Sequence, residues 1–157
     1  MPKLKALAQK GEISMNKDTV ELLKECDAGT KTAVNSIKEV LDNVDSQELM
    51  QLLQDSLSEH QSIGDELHAI LDEAGESGKE PNPMARAMSW MKINFKMMEK
   101  PNDKTIANLM FDGCSMGVKQ LSEYLNEYSA ADDRAKRLAK RLIGEEEKLG
   151  KDLKNYL

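Results

Sequence analysis

The sequence predicts an all-α chain: four long helices in a bundle, with a long crossover between the second and third that carries a short fifth helix. Three observations predict it. The four prolines stand at 2, 81, 83 and 101, so 3–80 and 102–157 lack the residue that costs a helix interior about 3 kcal/mol. Both stretches are rich in Leu, Lys, Glu, Ala and Gln, which lose little side-chain freedom in a helix, while aromatics are only 4%. Apolar residues recur along them at three- and four-residue spacing, giving stripes that long helices bury only by bundling.

Residues 1–15 are basic and lack a clear period, and are expected to form a flexible tail ahead of a domain over 16–157. Met15, just before the first strong helix signal, would suit a natural start. The first helix is expected over 17–43, with Val20, Leu23, Cys26, Thr30, Ala33, Ile37, Val40 and Val44 inward. Asn43-Val-Asp-Ser46 breaks the pattern, and Asp45 with Glu48 has capping-box spacing. The second helix, 46–74, turns Leu49, Leu53, Ser56, His60, Ile63, Leu67 and Leu71 inward. A loop from Gly75 to Pro83 follows, with Asn82 as N-cap and Pro83 at the first position of a short helix, 83–99. Lys100-Pro-Asn-Asp103 opens a helix over 103–128, with Ile106, Met110, Cys114, Gly117, Leu121, Leu125 and Tyr128 inward. Ser129-Ala-Ala-Asp-Asp133 turns into the last helix, 131–156, with Ala135, Leu138, Leu142, Glu146, Leu149, Leu153 and Tyr156 inward. The link of about 28 residues between the second and third helices is long enough to return along the bundle, as a single-crossover topology requires.

At 157 residues the chain suits one domain. Lys and Arg total 22 against 28 Asp and Glu, a formal charge of −6, which argues against a nucleic-acid partner. No run of 18 apolar residues exists, so no membrane span is expected. The first residues have no continuous apolar segment and no small-residue cleavage site, so no secretory signal is expected. Two cysteines make no disulfide framework, and a cytoplasmic location follows as the expectation.

The first helix pair looks like a diverged copy of the second. Cys26-x-x-Gly29-x-Lys31 recurs as Cys114-x-x-Gly117-x-Lys119, and Glu59 through Leu67 recurs, at nearly the same offset, as Glu145 through Leu153. Measured from the turn of each hairpin, Cys26, His60, Cys114 and Glu146 each lie about 15–18 residues away, which sets them at about one height in the bundle. Each interrupts an apolar stripe. Thiolates, an imidazole and a carboxylate are donors that Zn²⁺ accepts, so Cys26, His60, Cys114 and Glu146 are the candidate metal ligands. The competing expectation is two cysteines packed as small apolar residues and a His–Glu hydrogen bond. A thiol redox role would need an accessible cysteine of low pKa, and a Cys26–Cys114 disulfide is disfavoured by helix spacing. His68 lies off its stripe, as a surface histidine would. The chain has no phosphate-binding Gly-rich loop, no nucleophile elbow and no CxxC.

The short helix is apolar over a wide arc. Met84, Met88, Met91, Phe95 and Met98 make one stripe, and Ala87, Trp90 and Met97 another. One expectation is a crossover helix that covers the bundle. The sharper one is an interface with a second copy through Met84, Met88, Trp90, Met91 and Phe95, since exposed Met and Trp mark adaptable interfaces. A membrane-surface helix is disfavoured by the overall acidity.

Leu23-Lys-Glu-Cys26-Asp-Ala-Gly29, Asp112-Gly-Cys114 and Ser89-Trp-Met-Lys92, with four long helices and a twofold repeat, resemble a bacterial family of small ferritin-like four-helix proteins, related to the rubrerythrins. The resemblance covers 16–157. Ferritin-like di-iron proteins place a Glu on each of two helices and a Glu-x-x-His on each of the other two. In this chain Glu146 keeps its Glu, but Leu149 stands in place of the histidine. His60 and Ile63 replace the second Glu-x-x-His, and Cys26 and Cys114 stand where the other two Glu are looked for. The resemblance therefore implies a ferritin-like bundle without an intact di-iron centre: a binding or structural protein rather than an enzyme. The Met-rich short helix makes a homodimer the expected assembly. The alternative is a Zn-type metal-binding protein using the Cys/His/Cys/Glu quartet.

Overall fold

A computed structural model describes residues 15–76 and 90–157. Four long helices carry the fold: α1 (Lys17–Leu41), α2 (Gln47–Glu73), α3 (Asp103–Glu127) and α4 (Asp133–Leu153), the last running into a 3-10 turn, Lys154–Tyr156. Backbone over 90–96 is helical too. No strand occurs among the described residues.

Every long helix starts where a side-chain oxygen reaches an otherwise unpaired backbone N–H of the first turn. Asn16, Ser46, Asn102 and Asp132 accept from the N–H groups of Thr19, Leu49, Thr105 and Ala135. Asn102 and Thr105 complete a reciprocal capping box. Two expectations shift by a residue or two. The cap of α2 is Ser46 rather than Asp45, because Ser46 has the extended backbone and its hydroxyl reaches Leu49. The last helix begins at Asp133, not 131, because Asp132 is its cap. At the other end of α2, Gly75 adopts φ 71°, the left-handed conformation that ends helices and favours glycine. The expected Asn82 cap and Pro83 start lie outside the described residues.

The ends of the helices are tied in a way that fixes the topology. Asp103, first residue of α3, accepts from the backbone N–H groups of Asp45 (2.8 Å) and Ser46 (2.9 Å) in the α1–α2 turn. At the opposite end the side-chain amide of Asn16 donates to the carbonyl of Ala130 (2.8 Å). Asp18 accepts from the N–H of Ala130 (3.0 Å), and the Thr19 hydroxyl oxygen from that of Asp132 (2.8 Å). So α1 and α4 start at one end, α2 and α3 at the other. The order is up-down-down-up, the single-crossover arrangement of ferritin-like bundles. The two hairpins pack along their lengths, α2 packs on α4 and α1 on α3, and α1 and α4 also meet.

The core falls into two apolar clusters along the bundle axis. Near the starts of α1 and α4 lie Leu22, Leu23, Cys26, Ile63, Leu67, Leu71, Leu121, Leu138 and Leu142. Near the starts of α2 and α3 lie Ile37, Val40, Leu49, Leu53, Ile106, Met110, Cys114, Leu149 and Leu153. Thr30, Ser56, His60 and Glu146, all buried, interrupt the stripes between them.

The crossover closes the second cluster. Met91 is only 4% exposed, and Trp90, Phe95 and Met98 pack against the same cluster. Met91, Trp90 and Phe95 were expected at an interface with a second copy. Met91 is instead buried against this chain's own core, and Trp90 and Phe95 are half-buried against it. The apolar side chains this segment leaves outward are Ile93 and Met97, 56% and 75% exposed. Met84 and Met88 lie outside the described residues.

Asp103→Ala removes two charge-assisted hydrogen bonds that join the crossover's end to the α1–α2 turn. Chemical denaturation should show a loss of about 1–3 kcal/mol, against no more than about 0.5 kcal/mol for the exposed Asp112→Ala.

Candidate functional site

Helical periodicity delivers His60 and Glu146 to one place. On α2, Leu53, Ser56, His60, Ile63 and Leu67 share the inward face; on α4, Leu138, Leu142, Glu146, Leu149 and Leu153 do. His60 is fully buried and Glu146 is 8% exposed. Nε2 of His60 lies 3.1 Å from Oε1 of Glu146. Its Nδ1 lies 2.8 Å from the backbone carbonyl of Ser56 and 3.3 Å from that residue's hydroxyl.

A carbonyl oxygen only accepts, so Nδ1 carries a proton. Toward Glu146, Nε2 either donates to a carboxylate or accepts from a carboxyl, and the upward direction of the His60 pKa favours the first. The arrangement is that of an imidazolium–carboxylate pair. Burial pulls the His60 pKa down, but the hydrogen bond and charge of Glu146, the Ser56 carbonyl and the charge of Glu145 outweigh it, and the net direction is up. Glu145, partly buried beside this pair, is pushed up by desolvation against the opposing pull of the Ser56 hydroxyl and His60.

The quartet expected from the sequence does not converge as a whole. Cys114 faces Glu146, and its thiol is pushed well up by burial and by the charge of, and hydrogen bond to, that carboxylate. Cys26 belongs to the other core cluster, where burial and then the charges of Glu25 and Asp27 push its thiol up to about 12. Helix register gives the reason. Across the α1–α2 hairpin Thr30 meets Gly64 and Asp27 meets His68, so His60 is level with residues 34–35 of α1. Cys26 therefore lies about two turns, ~12 Å, out of level with it. Among the described residues, no three His, Cys, Asp or Glu side chains are gathered to hold a metal ion. A di-iron centre needs several hard carboxylates with open positions, and this layer, with Glu146 paired to an imidazolium, does not fit one. The two buried thiols of raised pKa do not suit a nucleophile either.

Sequence reasoning missed the space beside the pair. A cavity of about 70 Å³ lies under the crossover, lined by His60, Glu146 and Cys114, by Trp90 and Met91 of the crossover, by Met110 and Met116 of α3, and by Gly29, Ala33 and Ile37 of α1. Glycines open it. A Cβ at Gly117 would sit 3.4 Å from the carboxyl carbon of Glu146, and one at Gly113 would sit 3.5 Å from Cε of Met91. The repeat singled out Gly117 and Gly29 as a pattern without revealing that they make room. Ser56, which orients His60, was legible only as the polar residue one turn before it. His68 is more than a surface histidine: Nδ1 lies 3.5 Å from Oδ1 of buried Asp27, whose Oδ2 lies 3.0 Å from Nζ of Lys31. Outside the layer, Arg141 of α4 binds Glu59 (2.8 Å) and Glu66 of α2, clamping the helices that carry the pair.

Two solved structures share this architecture. The DUF305 fragment from Deinococcus radiodurans superposes with a TM-score of 0.71 at 14% sequence identity, over 90% of this chain and 95% of that one. Dps92 from the same organism does so with a TM-score of 0.66 at 14% identity, over 90% of this chain and 88% of that one. Identities this low are a likeness of fold. No protein-family model and no curated protein matches the chain. No described helix is long and apolar enough to cross a membrane.

The pair sets two expectations for stability. His60→Leu strands a buried carboxylate and should cost about 3 kcal/mol or more, whereas His60→Leu with Glu146→Leu should recover most of that. The folded-state pKa of His60 is raised, so its stabilisation is complete below about pH 6.5, its ordinary value, and fades as pH rises through the folded value. Denaturation between pH 6 and 8.5 should show this decline in the wild type and a flatter profile in the double variant.

Proposed function

We propose that this protein is a non-catalytic binding bundle of ferritin-like fold, in which the oxidative iron site has given way to a small, specific cavity under the crossover. The observation that carries the reading is the juxtaposition of that cavity with a buried His60–Glu146 pair on its wall. Purely structural bundles fill such space with side chains, since an interior void forfeits dispersion contacts. Here glycines at 29, 113 and 117 line it instead.

The cavity's size limits what it takes. An engineered cavity of about 150 Å³ admits benzene, and this one has about half that volume. Its occupant is an ion or a molecule of a few heavy atoms. Enzymatic turnover is disfavoured because the groups that would act as base, acid or nucleophile are committed: His60 to two acceptors, Cys114 to a carboxylate. Membership of the rubrerythrin-related family suggested by the sequence fits this reading, as a relative that kept the bundle and lost the ligands.

Native mass spectrometry of protein isolated without chelators or a metal-affinity tag tests the proposal. The expected result is a bound mass of one ion or a few heavy atoms, released on acid unfolding and absent in Gly117→Leu, where the larger side chain fills the cavity. A chain of bare polypeptide mass in the wild type, with Gly117→Leu simply more stable, would contradict it.

A further inference from the structure

The lining of the cavity carries four sulfur side chains beside the oxygens of Thr32, Ser36, Gln120 and Glu146. Met110 and Cys114 stand one turn apart on the inward face of α3, both only 4% exposed. Met91 reaches the same space from the crossover, also 4% exposed, and Gly113 permits its close approach. Met116, 42% exposed, lines it from the outer side of α3. Four sulfur side chains, three of them buried, therefore meet one cavity of about 70 Å³.

Ligand softness decides what such a set selects. Thioethers and thiolates are polarizable, weakly hydrated donors that favour soft cations, Cu(I) foremost, over Zn²⁺, Mg²⁺ or Ca²⁺. Hard cations favour carboxylates, and the one carboxylate in the lining, Glu146, is engaged by His60; the remaining oxygens are the neutral groups of Thr32, Ser36 and Gln120. A thiol of raised pKa binds Cu(I) only by losing its proton, and Glu146 beside it provides a route. The step balances as one Cu(I) bound and one proton released: the Cys114 S–H bond breaks, an S–Cu bond forms, and the proton passes by way of the carboxylate to water. No electron is transferred.

We propose that this cavity binds one monovalent copper ion through the sulfurs of Met91, Met110 and Cys114, with Met116 at its rim. The inference deepens the binding function proposed above and rests on it. It replaces the four-ligand zinc set expected from the sequence, because the donors that converge are sulfurs of α3 and the crossover rather than both cysteines.

Anaerobic titration of the full chain with Cu(I), in competition with bicinchoninate, tests it. One tight equivalent per chain is expected, with an X-ray absorption spectrum showing sulfur neighbours and about one proton released at neutral pH. Met110→Leu and Cys114→Ser should each lower the affinity on the order of 100-fold, while Cys26→Ala leaves it unchanged. Met110→Leu preserves volume, so it keeps the test decisive if the Cys114 variant folds poorly. Failure to compete for Cu(I), binding unaffected by Met110→Leu, loss of binding in Cys26→Ala alone, or a shell of nitrogen and oxygen would each overturn the proposal. If Cu(I) fails while native protein still carries a bound mass that Gly117→Leu abolishes, the copper assignment falls and the binding function stands.

Discussion

The contact between His60 and Glu146 governs the middle of this bundle. It joins α2 to α4 at the level where the apolar stripes are interrupted, between the two apolar clusters. Buried charges lose their hydration and regain it only from partners held in good geometry. Here the geometry is supplied in depth: the Ser56 carbonyl fixes the far side of the ring, and Arg141 holds the same two helices together from outside through Glu59 and Glu66. An ion pair of this kind is weak evidence for stability. Its value is register, since a one-turn slip of either helix would leave two charges unpaired in the core.

From that register the cavity follows. With α2 and α4 locked, Glu146 extends toward α3, where Gly117 leaves room for its carboxyl group and Cys114 meets it. The crossover then lies over the gap with Met91 and Trp90. Its far end is anchored by Asp103, whose carboxylate reads two backbone N–H groups of the α1–α2 turn. The same tie that sets the up-down-down-up topology thus brings the apolar segment before α3 back across the bundle. The result is a ferritin-like frame whose centre offers sulfur and one committed salt bridge in place of an array of open carboxylates.

Much of the frame was legible in the sequence. Proline placement and three- to four-residue periodicity mark all four long helices, and the capping residues Asn102 and Asp132 stand at the breaks they suggest. Of the site, the pairing of His60 with Glu146 was legible because both interrupt apolar stripes at a matching level. The position of Cys26 was not: its offset of about two turns depends on how α1 and α2 are aligned in their hairpin, which the meetings of Thr30 with Gly64 and of Asp27 with His68 fix. The cavity was not legible either, because a glycine in a helix reads as a weak helix former until its neighbour across the interface is known. The orientation of the crossover stripe had the same ambiguity. Met91 and Met97 are equally apolar in sequence, and only the surface beneath them decides which one is buried.

The central claim is that His60 is doubly protonated and ion-paired inside the folded protein. Nitrogen-15 NMR of histidine-labelled protein at pH 7 measures this directly, with His68, largely exposed, as an internal comparison. The account requires both ring nitrogens of His60 to show protonated shifts and to couple to slowly exchanging hydrogens. A neutral ring with a single protonated nitrogen would contradict it.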